Sequence, residues 1–208
     1  MRLMDIIRSL EESAVPLKPF VRWDERDLMS QAKASAERYE RGESKGILDG
    51  VPVAVKDELD MLPFPTMVGT KFYNNNSPKR DATVVDRLRS AGAMMVGKSN
   101  MHEIGIGVTG LNTKCGTTRN PHHLDHYPGG SSSGSAAAVS AGLCPIGLGV
   151  DGGGSIRIPA SLCGVVGLKT TWGRISSAGS APLSWSLATV GPITSTVSDA
   201  AIAYSYMA

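Results

Sequence analysis

A glycine-rich block in the second half of the chain has the residue types of an acyl-transfer site. It reads Asp151-Gly-Gly-Gly-Ser-Ile-Arg-Ile-Pro159. Its three glycines let the backbone turn sharply with N–H groups facing one point, and Pro159 favours a short helix after them. A carbonyl oxygen at that point would meet several donors and the positive end of a helix, as in an oxyanion hole. Ser155 follows where it could attack the same carbonyl.

A serine alone is a weak nucleophile and needs a base. Lys56 is a candidate because it follows an apolar strand predicted at Val51–Val55 and could lie in the interior. Burial disfavours a charged ammonium, so a buried Lys56 could be neutral and accept a proton. Alternatively, Lys56 is the first exposed residue after the strand and pairs with Asp57 or Glu58. The residue types favour neither interpretation.

A second stretch, rich in glycine and serine, contains the pattern Gly-x-Ser-x-Gly centred on Ser132. In hydrolases with this pattern the triad follows in the order serine, acid, histidine. All four histidines of the chain precede Ser132, so a triad in that order is impossible within it. As an alternative to catalysis, Ser131 and Ser132 could cap the alanine-rich helix that follows.

Other motif matches lack the structural context that they need. Residues 92–99 satisfy the Walker A pattern, but their variable positions are a predicted strand where a P-loop needs a loop. The pattern Gly-x-Gly-x-x-Gly occurs at 105–110 and 147–152, without a convincing strand before the first and without an acidic residue about 20 positions after the second. Three histidines lie near Asp125, but nothing fixes a metal geometry, and we expect a solvated loop: His122, His123 and His126.

Short apolar strands alternate with helices along the chain, which is typical of an α/β architecture around a mostly parallel sheet. The predicted strands are Val51–Val55, Ala93–Val96 and Ile146–Val150, and the predicted helices are Asp27–Arg41, Ala82–Ala91 and Ser135–Ala141. The first fifteen residues fit a short amphipathic helix, Asn74–Lys79 fits a loop, and a last helix begins at Asp199.

Composition excludes several classes of protein. The 208 residues suit one domain, and 41% apolar with 19% charged residues exclude intrinsic disorder. A net charge of +2 with scattered basic residues predicts no binding to nucleic acid or an anionic membrane. No apolar run reaches the length of about 18–20 residues that crosses a bilayer. Three cysteines without paired spacing indicate a reduced, intracellular protein.

The blocks together resemble the amidase signature family, whose signature is a Gly/Ser-rich stretch ending in a Gly-Gly-Ser-x-Arg-x-Pro core. The resemblance covers residues 46–174, through the segments Gly46–Asp57, Gly97–Glu103, Gly129–Ser132, Asp151–Pro159 and Cys163–Lys169. Within that family the chain is most similar to the plant-type fatty acid amide hydrolases, through Arg119-Asn-Pro, the triple glycine and Leu168–Arg174.

This resemblance implies a Ser-Ser-Lys triad that needs no metal or organic cofactor. Ser155 would be the nucleophile, Ser131 the bridging serine held by a cis peptide bond, and Lys56 the base. The N–H groups of Gly152, Gly153, Gly154 and Ser155 would form the oxyanion hole, Arg157 would brace the loop, and Ser132 would stay a helix cap. The implied reaction is hydrolysis of a carboxylic amide, such as an N-acylethanolamine or fatty acid amide, through an acyl-enzyme.

The implied fold is the amidase signature fold, a mostly parallel twisted mixed sheet flanked by helices. We expect residues 1–45 to form an N-terminal helical segment and residues 46–208 a C-terminally truncated domain, since family members are considerably longer. A small-molecule amide is the expected partner, a homodimer of the full-length protein is compatible with the family, and the expected location is cytoplasmic or peripheral to an internal membrane. Two alternatives stay open: a truncated, inactive amidase-like protein, and a glutamine-hydrolysing amidotransferase A-type subunit that would need partner subunits.

Overall fold

A computed structural model describes residues 2–73, 77–181 and 183–208. The helices are α1 (Arg2–Glu12), α2 (Glu25–Glu40), α3 (Thr83–Ser90), α4 (Ser133–Ser140), α5 (Arg157–Leu162) and α6 (Val197–Met207). The strands are β1 (Phe20–Trp23), β2 (Pro52–Lys56), β3 (Met94–Ser99), β4 (Ile146–Asp151), β5 (Val166–Gly167) and β6 (Thr189–Thr194). The start of the loop predicted at Asn74–Lys79 lies outside the described residues.

The six strands form one mixed sheet in the order β1-β3-β2-β4-β6-β5. The three central strands are parallel, since β2 pairs in parallel with both β3 and β4. The outer strands β1, β6 and β5 are antiparallel to their neighbours. The prediction of an α/β fold with a mixed sheet is therefore confirmed. Among the described residues the sheet is not mostly parallel, however, since two of its five strand pairings, both at the centre, are parallel and three are antiparallel. The carboxyl ends of parallel strands meet at one edge, where open α/β sheets place their ligands.

Helices cover both faces of the sheet. On one face, α3 and α6 pack with the side chains of Val53 and Val55 from β2. On the other face, α1, α2 and α4 pack with Ala54 of the same strand. Successive side chains of a strand point to opposite faces, so Lys56 follows Ala54 toward the α4 side. This alternation directs the lysine toward the serines that precede α4.

The N-terminal segment belongs to the same sheet. Although residues 1–45 were expected to be helical, they also contain β1, which pairs with β3. Asp24 caps α2, because its carboxylate accepts a hydrogen bond from the N–H of Asp27 at 2.8 Å. The division of the chain at residue 45 stays a prediction. Among the described residues, no helix combines the length and the apolar character that a membrane crossing requires.

Candidate active site

Lys56 ends β2 inside the protein, with no exposed side-chain surface. Its Nζ lies 2.8 Å from Oγ of Ser131 and 3.3 Å from the carbonyl oxygen of Val150. A carboxylate oxygen of Glu58 lies 2.7 Å from the same nitrogen. Of the two interpretations of Lys56, burial is therefore correct and exposure is wrong, although the pairing with Glu58 is present. Burial follows from the parallel neighbours on both sides of β2, which make it a central strand.

Ser131 lies two residues before α4 and is also fully buried. The peptide bond between Gly130 and Ser131 is cis. The backbone carbonyl of Ser131 accepts a hydrogen bond from the N–H of His102 at 3.0 Å. With its hydroxyl on Lys56 and its carbonyl on the segment after β3, Ser131 is held between two neighbouring strands of the sheet.

Ser132 occupies the N-cap position of α4, but its side chain makes no capping hydrogen bond. Its hydroxyl instead accepts a hydrogen bond from the N–H of Val150 at 3.4 Å. The prediction that this hydroxyl caps the helix is therefore wrong. The reason is tertiary: Ser132 is fully buried against β4, which supplies a donor, and the N–H of Gly134 in the first turn of α4 donates to the carbonyl of Asn100 instead.

Ser155 lies in the loop after β4 and is half-buried. Together with Lys56 and Ser131 it lines a cavity of about 270 Å³ at the carboxyl ends of β2 and β4. The carbonyl of Ser155 accepts a hydrogen bond from the N–H of Ser132 at 3.1 Å, which joins the two loops. Among the described residues, the Ser155 hydroxyl has no hydrogen-bond partner, so the Lys56–Ser131 link is formed and the Ser131–Ser155 link is not. Catalytic hydrogen bonds are often long before substrate binds and tighten in the complex.

Asp151 organises the glycine loop from within. This buried carboxylate accepts hydrogen bonds from the N–H groups of Gly154 at 2.6 Å and Ile156 at 3.1 Å, and from the guanidinium Nε of Arg157 at 3.0 Å. Burial by itself would raise the pKa of Asp151, but these donors outweigh it and hold the pKa below its ordinary value. Arg157 thus braces the loop through Asp151.

The same arrangement changes the expected oxyanion hole. The N–H of Gly154 already donates to Asp151, so it is not open to a substrate oxygen. Among the described residues, no group accepts a hydrogen bond from the N–H of Gly152, Gly153 or Ser155. Gly152 and Gly153 also line the cavity beside Ser155. Three of the four predicted donors therefore have no acceptor among the described residues and belong to residues that line the cavity, so their role in an oxyanion hole stays a prediction.

The rim of the cavity is apolar. Its lining includes Ile106, Val108, Leu183 and Leu187, each more than half exposed. A second cavity of about 430 Å³ also contains Leu183 in its wall, together with Phe72, Tyr73 and Trp185. An apolar part of a ligand would gain free energy by covering these side chains.

The motifs dismissed on sequence form no second site among the described residues. The Walker-like segment is strand β3, and its Lys98 is buried 3.5 Å from a carboxylate oxygen of Asp57. His122 contacts the carbonyl of Cys163 at 2.9 Å, whereas His123 packs against His126. No three metal-ligating side chains come together in the described ranges.

All three cysteines are free thiols: Cys115, Cys144 and Cys163. Burial raises the pKa of the Cys163 thiol to about 12, and it raises the pKa of Cys144 as well. A buried thiol with a raised pKa is a poor nucleophile. Cys115 is half-buried, and burial also raises its pKa.

Sequence reasoning missed two residues, Asp151 as the organiser of the loop and Glu58 as a wall of the cavity. One signal for Asp151 was available, since a carboxylate at the end of an apolar strand is costly unless donors surround it, and a glycine run follows directly. Glu58 gave no such signal, because a charged residue after a strand is usually exposed.

Comparisons with known proteins show which family the chain resembles in sequence and fold. A sequence model of the family described as Amidase matches residues 4–208. The chain is 47% identical over 205 residues to the fatty acid amide hydrolase of Arabidopsis thaliana, covering 98% of this chain and 34% of that protein. It is 48% identical over 186 residues to the glutamyl-tRNA(Gln) amidotransferase A subunit of Desulforapulum autotrophicum, covering 89% of this chain and 38% of that protein.

The fold has close counterparts among solved structures. The native peptide amidase from Stenotrophomonas maltophilia superposes with a TM-score of 0.94 at 36% identity, over 99% of this chain and 43% of that chain. By the sequence comparison above, this chain spans about a third of the length of the fatty acid amide hydrolase that it matches. The family match, these likenesses and the agreement of fold lead to one conclusion: the chain belongs to the amidase family.

Proposed function

We propose that this protein hydrolyses a carboxylic amide through a Ser155 acyl-enzyme, with Ser131 and Lys56 as the proton relay. One observation carries the proposal: the buried Lys56 amine lies 2.8 Å from the Ser131 hydroxyl, in the wall of the cavity that Ser155 also lines. The likeness to a fatty acid amide hydrolase and to a peptide amidase supports the same class of reaction.

In the proposed reaction, neutral Lys56 takes a proton from Ser131 while Ser131 takes one from Ser155. The Ser155 oxygen bonds to the amide carbon, and the carbonyl oxygen becomes negative. The open N–H groups of the loop after β4 would hold that oxygen. The proton then returns through Ser131 to the nitrogen as the C–N bond breaks, and water hydrolyses the acyl-enzyme.

For the substrate, we propose an amide with a long apolar acyl chain, such as a fatty acid amide or an N-acylethanolamine. The exposed side chains of Ile106, Val108 and Leu187 line the mouth of the cavity. Each apolar carbon that leaves water against them contributes to binding, at roughly 25 cal/mol per Å² of buried apolar surface.

Glutamine hydrolysis is the second candidate, favoured by the 48% identity to the amidotransferase protein. Free glutamine carries an α-carboxylate and an α-ammonium, which need charged or polar partners. The apolar rim offers few, so this candidate ranks below the long-chain amides.

The proposal is tested by the intact mass of the 208-residue chain after treatment with a fluorophosphonate. We expect one adduct, absent in Ser155→Ala and formed about a hundredfold or more slowly in Lys56→Ala, because the serine then lacks its base. Ser161→Ala, an exposed serine of α5, is the matched control and should label at the wild-type rate.

Hydrolysis of oleoylethanolamide and of glutamine then separates the two candidate substrates. Release of ethanolamine supports the long-chain amide, and release of ammonia from glutamine supports the second candidate. If monodisperse wild-type chain forms no adduct, the chain by itself is an inactive amidase-like protein and the proposal is wrong for it.

A further inference from the structure

Glu58 is a buried carboxylate inside the candidate active site. Its side chain is 6% exposed, and one carboxylate oxygen lies 2.7 Å from Nζ of Lys56. The turn after β2 holds it there, since the N–H of Leu59 donates to the carbonyl of Lys56 and the N–H of Ala181 donates to the carbonyl of Glu58. A buried carboxylate is costly unless it is paired, so the side chain stays with the lysine.

The contacts of Lys56 determine where its lone pair would point. A neutral amine has two N–H donors and one lone pair. Of its three neighbours, the carbonyl of Val150 and the carboxylate of Glu58 can only accept hydrogen bonds, which uses both N–H groups. The remaining neighbour, the Ser131 hydroxyl, is the one that can donate. The lone pair therefore faces the proton that the relay must remove.

We propose that Glu58 is a positioning residue of the reaction, which turns the lone pair of neutral Lys56 toward Ser131 and stabilises the ammonium formed when the proton arrives. This role rests on the proposed function. The proton leaves Ser131 Oγ and bonds to Lys56 Nζ, which places a positive charge 2.7 Å from the carboxylate. When the proton returns to the leaving nitrogen, Lys56 becomes neutral again, and Glu58 stays a carboxylate throughout.

Other charged groups on elements packed around Lys56 have different partners. On β3, Lys98 lies near Asp57, and at the end of β4, Asp151 contacts Arg157 and Lys169. In the segment after β3 the titratable groups are His102, which contacts Thr109, and Glu103. The carboxylate of Glu58 is thus the charged group in contact with Lys56 among the described residues.

The test compares the pH dependence of fluorophosphonate labelling in wild type, Glu58→Gln, Glu58→Asp and Glu43→Gln. Without the carboxylate the charged form of Lys56 is less favoured. In Glu58→Gln we therefore expect the acid limb, the pH range in which the labelling rate rises as Lys56 loses its proton, to move about 1–3 pH units lower. Because the base is then weaker, the plateau rate should fall about threefold to tenfold. Glu58→Asp keeps the charge and should keep the limb near its wild-type position. Glu43→Gln, at an exposed ion pair with Arg41, is the matched charge control.

A role of Glu58 that is merely structural would lower the labelling rate without moving the acid limb, and that result would overturn the proposal. Failure of the proposed function is recognised separately, as the absence of labelling in wild type. In that case, an NMR titration of the Lys56 Cε resonance still tests whether Glu58 favours the ammonium of Lys56. The signal is assigned by its loss in Lys56→Ala. A midpoint that falls in Glu58→Gln supports the pairing, and an unchanged midpoint contradicts it.

Discussion

At the scale of single residues, the site depends on two buried carboxylates with different partners. Glu58 contacts Lys56, the base of the proposed relay. Asp151 accepts hydrogen bonds from the backbone N–H groups and from the Arg157 side chain that shape the glycine loop. Buried carboxylates are stable only when donors satisfy them, so each one constrains its surroundings. The geometry of the candidate site thus depends on two residues that carry no step of the proposed reaction themselves.

Asp151→Asn tests this dependence. The amide would present N–H donors where the loop also presents donors, so the loop should lose its shape. We expect the free energy of unfolding to fall by about 2–3 kcal/mol, and fluorophosphonate labelling to slow about tenfold or more. Urea denaturation and intact mass measure the two effects.

Arg157→Ala is the comparison variant, because it removes a half-exposed guanidinium and leaves the backbone donors to Asp151 in place. Arg157→Ala should lower the free energy of unfolding by less than about 1 kcal/mol. Wild-type labelling in Asp151→Asn would contradict the role given to the carboxylate.

At the scale of elements, α4 positions Ser131 only because its first turn lies directly against the chain beside it. The N–H of Gly134 donates to the carbonyl of Asn100 at 2.8 Å, and the N–H of Asn100 donates to the carbonyl of Pro19 at 2.9 Å. A Cβ at Gly134 would overlap both of these backbone segments. The approach of α4 to the sheet therefore requires glycine at this position.

Gly134→Ala should displace the first turn of α4 and with it Ser131. We expect a loss of about 3 kcal/mol in unfolding free energy, at the upper end of overpacking costs, together with loss of labelling. Gly142→Ala is the control, since it has open space around it and only the strain of φ +72°. Gly142→Ala should lower the free energy of unfolding by about 1 kcal/mol and leave the labelling rate unchanged. If the two variants had equal free energies of unfolding, the close approach of α4 to the neighbouring backbone would not depend on glycine at position 134.

At the scale of the whole molecule, a mostly buried ion pair joins the N-terminal helix α2 to the segment before β2. Asp49, just before β2, accepts hydrogen bonds from Arg38 Nε at 2.8 Å and Ser35 Oγ at 2.8 Å, both on α2, and from the N–H of Lys45. The hydrogen bonds from Arg38 hold the pKa of Asp49 well below its ordinary value, although burial opposes them. The two parts of the chain are therefore expected to unfold together.

Asp49→Asn should lower the free energy of unfolding at pH 7 by about 3 kcal/mol, because the mostly buried Arg38 loses its partner. The folded-state pKa of Asp49 lies below the unfolded value of about 3.9, so the ionised carboxylate stabilises the fold above about pH 4. This stabilisation is lost as the pH falls through the folded-state pKa. The difference between wild type and variant should therefore narrow below about pH 4 in urea denaturation. A difference that does not change with pH would contradict the ion pair as its cause.

The sequence by itself determined the elements whose signal is local. β2, α3, α4 and β4 begin and end within two residues of their predicted bounds, because apolar spacing and turn residues near each segment are enough to define them. The glycine and serine blocks, in their order, were also enough to identify the family. The three residues of the relay were carried over from that resemblance and stay a proposal. Strands β1, β5 and β6 were missed, since they are short or contain Gly and Pro, and their antiparallel pairing joins distant segments.

Only the tertiary structure decided which residues of the candidate site contact one another. Lys56 is buried because strands on both sides enclose it, and its contacts with Ser131 and Val150 cross 75 and 94 residues of sequence. The same distant contacts turn the Ser132 hydroxyl away from its helix, direct the N–H of Gly154 to Asp151 and bury Glu58 beside the lysine. Burial and hydrogen-bond partners are properties of the packed chain, so spacing along the sequence could not reveal them.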